Sequence, residues 1–250
     1  MKITYIKAKE SDMRRFFTLV ELLIVVSVII ILIGMLLPAL GKARHTVNGI
    51  ACMNNIKQLM FGYVSYSDSY DGWLLPGNIT GLPTSAWFLY VYQTINDRIP
   101  SSVYAKESVE YKLFKCPSEI GLLGQDYATK PVFRYTHYIL NAKLAGSSFG
   151  ENSGTTFPTR RAPSVVFPSK AFILTDNGMR NGYRFYLAPN DSVAFRHGSN
   201  KAYYDDGYMR IYLGERTNVG YFDGHVSPLI RQSFVREVLF AGLNAEPAEL

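Results

Sequence analysis

Residues 19–40 read LVELLIVVSVIIILIGMLLPAL, an apolar run of 22 residues interrupted by a single charge, Glu21. As a helix rising 1.5 Å per residue it spans about 33 Å, enough to cross a hydrocarbon core of about 30 Å. It is longer than the apolar core of an ordinary signal peptide, about 7–15 residues. A small-x-small stretch, Ala39-Leu40-Gly41, keeps plain secretion open as the competing expectation. Five basic residues precede the run (Lys2, Lys7, Lys9, Arg14, Arg15) against two acids, Glu10 and Asp12. Only Lys42 and Arg44 follow it closely. The bias of positive charge predicts a single pass with a cytoplasmic N-terminus and everything beyond residue 42 on the other side.

Outside this run the charge balance changes meaning. Half of the net +6 sits in the first 16 of the 250 residues, so the remainder is close to neutral. That argues against a nucleic-acid surface and for a topogenic N-terminus. With 48% hydrophobic residues, 18 Tyr and 15 Phe, the rest of the chain can fill a sizeable core. Two cysteines exclude a disulfide-stapled miniprotein and a four-thiolate zinc site.

Glu21 does not fit a plain anchor, because an ionised carboxylate in an apolar span is costly without a partner. An interfacial Glu reaching the headgroups is one reading. The surrounding Phe17-Thr18-Leu19-Val20-Glu21-Leu22-Leu23, with basic residues before it and Pro38 after it, resembles a type IV prepilin signal. The resemblance implies cutting between Phe16 and Phe17 by an inner-membrane prepilin peptidase, which also methylates the new Phe17 amine. It implies that Glu21 meets the N-terminal amine of a neighbouring subunit, and that Pro38 kinks the helix by removing a backbone hydrogen bond. Phe16 departs from the pattern, since most prepilins carry Gly there.

Beyond Pro38 the apolar residues become periodic. Leu40, Ala43, Val47, Ile50 and Ala51 share a helical face, followed by Ile56, Leu59, Met60 and Tyr63. The pattern predicts one long helix, amphipathic in its second half, that stops near Tyr70-Asp71-Gly72. The remaining 180 residues read as loops and short strands. Segments 77–83 and 146–158 carry loop composition. Residues 171–175 form a β-rich apolar run. Val219 to Val226 reads as a hairpin with a two-residue Asp223-Gly224 turn, and residues 231–241 as a closing helix. The cluster from Trp87 to Tyr92 is expected in the core.

Cys52-Met53-Asn54-Asn55, the Tyr70-Asp71-Gly72 stretch and Lys115-Cys116-Pro117-Ser118 resemble a pilin-like bacterial family with an H-x9-D-G motif near its C-terminus. Here His197 and Asp223-Gly224 are further apart. Removing residues 201–216, which carry their own Asp206-Gly207 turn, restores the spacing, so that segment reads as an inserted hairpin with Tyr203 and Tyr204 exposed.

The side-chain groups with chemical potential divide as follows. His197, Asp223 and His225 could bind a metal or relay a proton. The simpler reading is structural, with His197 bonded to the Asp-Gly turn. Asp68, Asp71, Asp176, Asn177, Asp205 and Asp206 lack an EF-hand pattern and read as turn residues rather than a calcium site. Cys52 and Cys116 are expected either as a bridge, contributing about 4 kcal/mol by chain entropy, or as two buried thiols. The sequence carries no nucleophile motif and no glycine-rich phosphate loop.

The expected fold is α+β and pilin-like: a leader over 1–16, a transmembrane helix over 17–40 and its amphipathic continuation over 41–70. A head over 71–250, built on a small antiparallel sheet with large loops, completes it and includes the motif region 197–226. The expected role is a non-enzymatic structural subunit without cofactor or metal. Its partners would be the prepilin peptidase, other pilin-like subunits, the inner membrane and no nucleic acid. A membrane-anchored binding protein for a polysaccharide is the alternative, and a metal-dependent periplasmic hydrolase the least favoured.

Overall fold

The computed structural model describes residues 18–78, 86–97, 109–119, 135–147, 158–179, 182, 184–185, 193–198, 203–205, 210–212 and 214–233. The chain forms two units, one ending at Ala43 and one beginning at Arg44. Helix α1 (Leu19–Ser69) contributes to both.

In the first unit the large apolar side chains from Leu19 to Leu37 are all exposed. This stretch is long and apolar enough to cross a membrane. Pro38 lies inside the helix, where it cannot donate a backbone hydrogen bond to the preceding turn.

In the second unit α1 becomes the spine of a core. Cys52, Ile56, Leu59, Met60, Tyr63 and Tyr66 are buried, at the three- and four-residue spacing of one helical stripe. The expected face holds at Ile56, Leu59, Met60 and Tyr63 but not in its first part: Leu40, Val47 and Ile50 are exposed, and burial starts at Cys52. The helix stops where expected. Asp71 and Gly72 both adopt positive φ, and the Gly72 amide bonds back to the Ser67 carbonyl at 2.8 Å. That six-to-one bond closes a Schellman-type end. Arg161 clasps the turn, donating to the Asp71 carbonyl through Nε and Nη2 and pairing with its carboxylate.

Part of the head expected as loops and strands is helical instead. Helix α2 (Trp87–Asn96) buries Trp87, Phe88, Val91 and Tyr92, whose i, i+1, i+4, i+5 spacing suits one face of a helix. A Cβ on Gly62 would stand 2.9 Å from Val91 and Ile95 side-chain carbons, so the glycine that weakens α1 locally is also what lets α2 approach it.

The sheet comprises β1 (Tyr138–Asn141), β2 (Phe172–Asp176), β3 (Arg184–Phe185), β6 (Arg216–Tyr221) and β7 (Val226–Ile230), in the order β3-β1-β2-β6-β7. Strands β1, β2, β6 and β7 pair antiparallel, and only the short edge strand β3 runs parallel to its neighbour. One core cluster gathers the α1 and α2 residues with Tyr138, Leu140, Ile173 and Leu174. A second holds Ile139, Phe172, Val193, Phe195, Val219 and Tyr221. In β1 the alternation of Tyr138 and Leu140 with Ile139 between the two is the pleat. Pro228 sits in β7, an edge strand that tolerates a missing donor.

The β6–β7 connection differs from expectation by one residue. Gly224 N–H donates to the Tyr221 carbonyl, Tyr221 N–H to the His225 carbonyl, and Gly224 alone of the loop has positive φ. This is a three-residue loop, Phe222-Asp223-Gly224, ending in a glycine bulge. A two-residue Asp-Gly turn of type I′ would need positive φ at Asp223 as well. Strands β4 (Tyr203–Asp205) and β5 (Arg210–Tyr212) form a separate antiparallel pair. Arg216, the last residue of the expected insertion, is the first residue of β6. Residues 231–233 start a helical turn; the rest of the expected closing helix, the leader, most of the loops 77–83 and 146–158, and Asp206-Gly207 lie outside the described residues.

Candidate functional site: a buried Cys–Cys–Asp–His cluster

Four elements converge on one buried point. Cys52 comes from α1, Cys116 from the turn after a 3-10 segment (Val109–Phe114), Asp176 from the end of β2, and His197 from segment 193–197. Each side chain offers one potential ligand atom, and these atoms lie within 4.8 Å of one another. Cys52 and Cys116 are joined as a disulfide with their Cα atoms 5.2 Å apart.

Each member has its own support. Asp176 Oδ2 accepts the Asn218 N–H at 2.8 Å and the Thr217 hydroxyl at 3.3 Å, and lies 3.1 Å from His197 Nε2. Burial opposes ionisation of this carboxyl. The facing imidazole, the Arg196 charge and the Asn218 amide outweigh it and hold the group below the usual carboxylate range. His197 Nε2 is 3.8 Å from Cys116 Sγ. Cys52 Sγ lies 3.4 Å from the Tyr138 hydroxyl, and Asn55 Nδ2 donates to that hydroxyl and to the Lys115 carbonyl. Burial first, then the Asp176 charge, raises the Tyr138 phenol above its ordinary range, so it remains a donor. His137 Nδ1 accepts the Cys116 N–H at 3.1 Å.

A buried ion pair links two of the contributing segments. Arg196 Nη1 is 2.9 Å from Glu119 Oε2, both side chains being shielded from solvent. Arg196 Nη2 also donates to the Asn177 carbonyl, and Glu119 N–H bonds the Cys116 carbonyl. The Cys116 turn and the His197 segment are thereby tied to each other.

The expected trio of His197, Asp223 and His225 is divided. His225 Nδ1 sits 2.5 Å from Asp223 Oδ1 on the exposed hairpin loop, whereas His197 turns to Asp176 and not to the Asp223-Gly224 turn. Of the residues read as turn formers rather than a calcium site, Asp71 lies in the turn that ends α1 and Asn177 builds an Asx turn to the Met179 amide, whereas Asp176 is buried in β2.

Near the start of α1, Glu21 has a local partner. Its carboxylate accepts the Thr18 N–H and hydroxyl, each at 2.9 Å, while Thr18 Oγ1 accepts the Glu21 N–H at 3.1 Å. This is a capping box, legible in the sequence as Thr-x-x-Glu. Phe16 and Phe17 lie outside the described residues.

Sequence reading missed Asp176 as a partner of His197, and missed Tyr138, Arg196 and Glu119 altogether. The available signal was an acid and an amide, Asp176-Asn177, directly following the apolar run 171–175 in a strand buried on both faces. Such groups require partners inside the fold. Compared with known proteins, the chain matches no family model, no curated protein and no solved structure.

Proposed function

We propose that this chain is a pilin-like structural subunit. It is inserted in the inner membrane, cut between Phe16 and Phe17 by a prepilin peptidase and methylated at Phe17. Through its apolar helix it is then built into a type IV pilus or type II secretion-like fibre. One observation carries the reading: a single helix is apolar and uncovered from Leu19 to Leu37, yet becomes the core spine of a disulfide-closed domain from Cys52 onward. The uncovered half needs lipid before assembly and other subunits' helices after it. The cap residue Thr18 directly follows the expected new N-terminus, so removal of the leader leaves a helix start that is already capped. In the fibre Glu21 exchanges that local cap for the amine of a neighbouring subunit. Exposed Val47, Ile50 and Phe61 add apolar contact further along α1. In this reading the head is periplasmic or on the fibre surface, and the chain performs no catalysis.

The test is the mass of the mature N-terminal peptide from membranes with and without the prepilin peptidase. An N-methyl-Phe17 terminus that depends on the peptidase supports the proposal, and an intact Met1 or a start at Lys42 overturns it.

A second reading, a membrane-anchored binding protein that never polymerises, draws on the β4–β5 pair standing apart from the main sheet. Glu21→Ala separates the two: it abolishes incorporation into fibres, whereas a bare anchor retains its ligand binding.

A further inference from the structure

We propose that, in the form of the chain with Cys52 and Cys116 as thiols, the buried cluster is a zinc site ligated by Cys52 Sγ, Cys116 Sγ, Asp176 and His197, and that the disulfide is its metal-free, closed state. This inference is independent of the fibre reading.

The donor set is the first argument. Two thiolates, an imidazole and a carboxylate are what a closed four-coordinate zinc site uses. The four atoms already lie within 4.8 Å of one another. A tetrahedral shell with bonds of about 2.0–2.3 Å has donor–donor edges of about 3.3–3.8 Å, so side-chain shifts on the order of an ångström assemble it.

The second argument is what the disulfide state leaves unused. Asp176 is fully buried, and while Oδ2 is held by Asn218, Thr217 and His197, Oδ1 has no hydrogen-bond partner. An orphaned carboxylate oxygen in a core is costly, and a cation beside it removes the cost. His197 presents Nε2 to Asp176 and Cys116, the orientation a ligand needs.

The third is the surrounding support. Metal ligands are held by outer hydrogen bonds that set their orientation and basicity. Here the Asn218 amide fixes Asp176, and the Tyr138 hydroxyl faces Cys52 Sγ. Two thiolates and one carboxylate around a doubly charged ion leave one negative charge, and the Arg196 guanidinium, whose charge already acts on Asp176, stands near to offset it.

Metal binding itself involves no change of oxidation state. The chain is synthesised with both cysteines as thiols, and Zn²⁺ binding releases the two thiol protons while His197 binds as neutral imidazole. Conversion to the bridge takes a partner disulfide as oxidant: it accepts the two electrons and, with two protons, leaves as a dithiol, while Cys52 Sγ and Cys116 Sγ join, Zn²⁺ is released and the site closes. With His197 and Asp176 nearly inaccessible, the cluster is closed to an organic substrate.

The experiment uses the full chain in detergent micelles, titrated with Co²⁺ before and after reduction by a trialkylphosphine, which is converted to its oxide as water supplies the thiol protons. The expected result is one equivalent bound by the reduced chain, with a sulfur-to-cobalt charge-transfer band and tetrahedral d–d bands. Both disappear on adding one equivalent of Zn²⁺. The oxidised chain gives no bands, and Cys116→Ser weakens the charge-transfer band, whose intensity follows the number of thiolates bound. Asp176→Asn weakens the reduced form's affinity at least tenfold. Absence of the bands in reduced wild-type chain that retains its circular dichroism overturns the proposal, whatever the variants do. So does binding without a sulfur band, which places the metal elsewhere, as on the exposed Asp223–His225 pair.

Discussion

His197 and Arg216 exchange both backbone hydrogen bonds, each amide donating to the other's carbonyl at 3.0 Å. Segment 198–215 therefore leaves and rejoins the fold through one residue pair, whose Cα atoms in such a ladder lie about 5.5 Å apart. The β4–β5 pair belongs to this excursion and forms a sheet of its own. Deleting residues 201–212, which keeps Gly198 and Gly214, should leave a loop of about six residues across a gap that short loops span easily. Shortening a loop threefold changes closure entropy by only about 1 kcal/mol. The deletion variant should melt within a few degrees of the parent by circular dichroism and retain the Cys52–Cys116 bridge. Loss of folding would mean that the excursion is an integral part of the head.

Strand β6 crosses α1 at a glycine. A Cβ on Gly220 would stand 2.7 Å from Met60 Cγ and 2.8 Å from Ile56 Cγ2, closer than packed carbons tolerate. Gly220→Ala should cost about 1–3 kcal/mol through overpacking. In the background of Met60→Ala the same change should cost clearly less, because the cavity accepts the new methyl. Chemical denaturation of the four chains of this cycle measures the coupling, expected above about 0.5 kcal/mol. Strict additivity would mean that β6 does not rest on Met60.

How much of this was legible follows from the kind of signal each feature carries. The uncovered apolar helix and its stop at Asp71-Gly72 are local patterns, one of length and hydropathy and one of turn chemistry, and both stand in the structure. The hairpin around Asp223 was legible, but not its loop length, since Asp-Gly serves a two-residue turn and a three-residue loop with a bulge equally well. Helix α2 was obscured because Trp87 to Tyr92 is nearly continuously apolar, a run that fits strand and helix alike until its packing partner at Gly62 is known. Asp176 was hidden for another reason. Its role depends on a histidine 21 positions later in the chain, brought to it by pairing of Asn177 with Val193 and of His197 with Arg216. Sequence spacing carries no trace of such non-local pairing, and the same holds for the proximity of Cys52 and Cys116.

Tyr63 gives the head an alkaline limit. It is fully buried, its hydroxyl donates to the Leu75 carbonyl at 3.1 Å, and burial, then the neighbouring Tyr66, pushes its phenol well above the ordinary value of 10.0. In the unfolded chain the phenol ionises near that ordinary value, so above it the native state holds the extra proton. Stability from this group is fully present below about pH 10 and falls as pH rises further, by about 1.4 kcal/mol per pH unit. Tyr63→Phe should cost about 1 kcal/mol at neutral pH, because the Leu75 carbonyl loses its donor. It should also make the decline above pH 10 shallower. Denaturation midpoints measured from pH 7 to 11 check both, and an unchanged alkaline slope would assign that limit to other groups.

The Arg196–Glu119 pair joins the segment carrying His197 to the turn carrying Cys116, with both charged ends out of solvent. Removing one partner strands the other charge in the core, which typically costs about 3–5 kcal/mol, whereas replacing both with apolar residues of similar volume is often close to neutral. Arg196→Met alone should therefore destabilise the head severely, partly because the Asn177 carbonyl also loses a donor. The double variant Arg196→Met with Glu119→Leu should recover most of that loss. The informative readout beyond stability is thiol reactivity of Cys52 and Cys116 after mild reduction. A pair that only fills space leaves it unchanged once stability is restored. A pair that holds the Cys116 turn against the His197 segment leaves the double variant stable but with faster alkylation of Cys116, and that second outcome is the one expected.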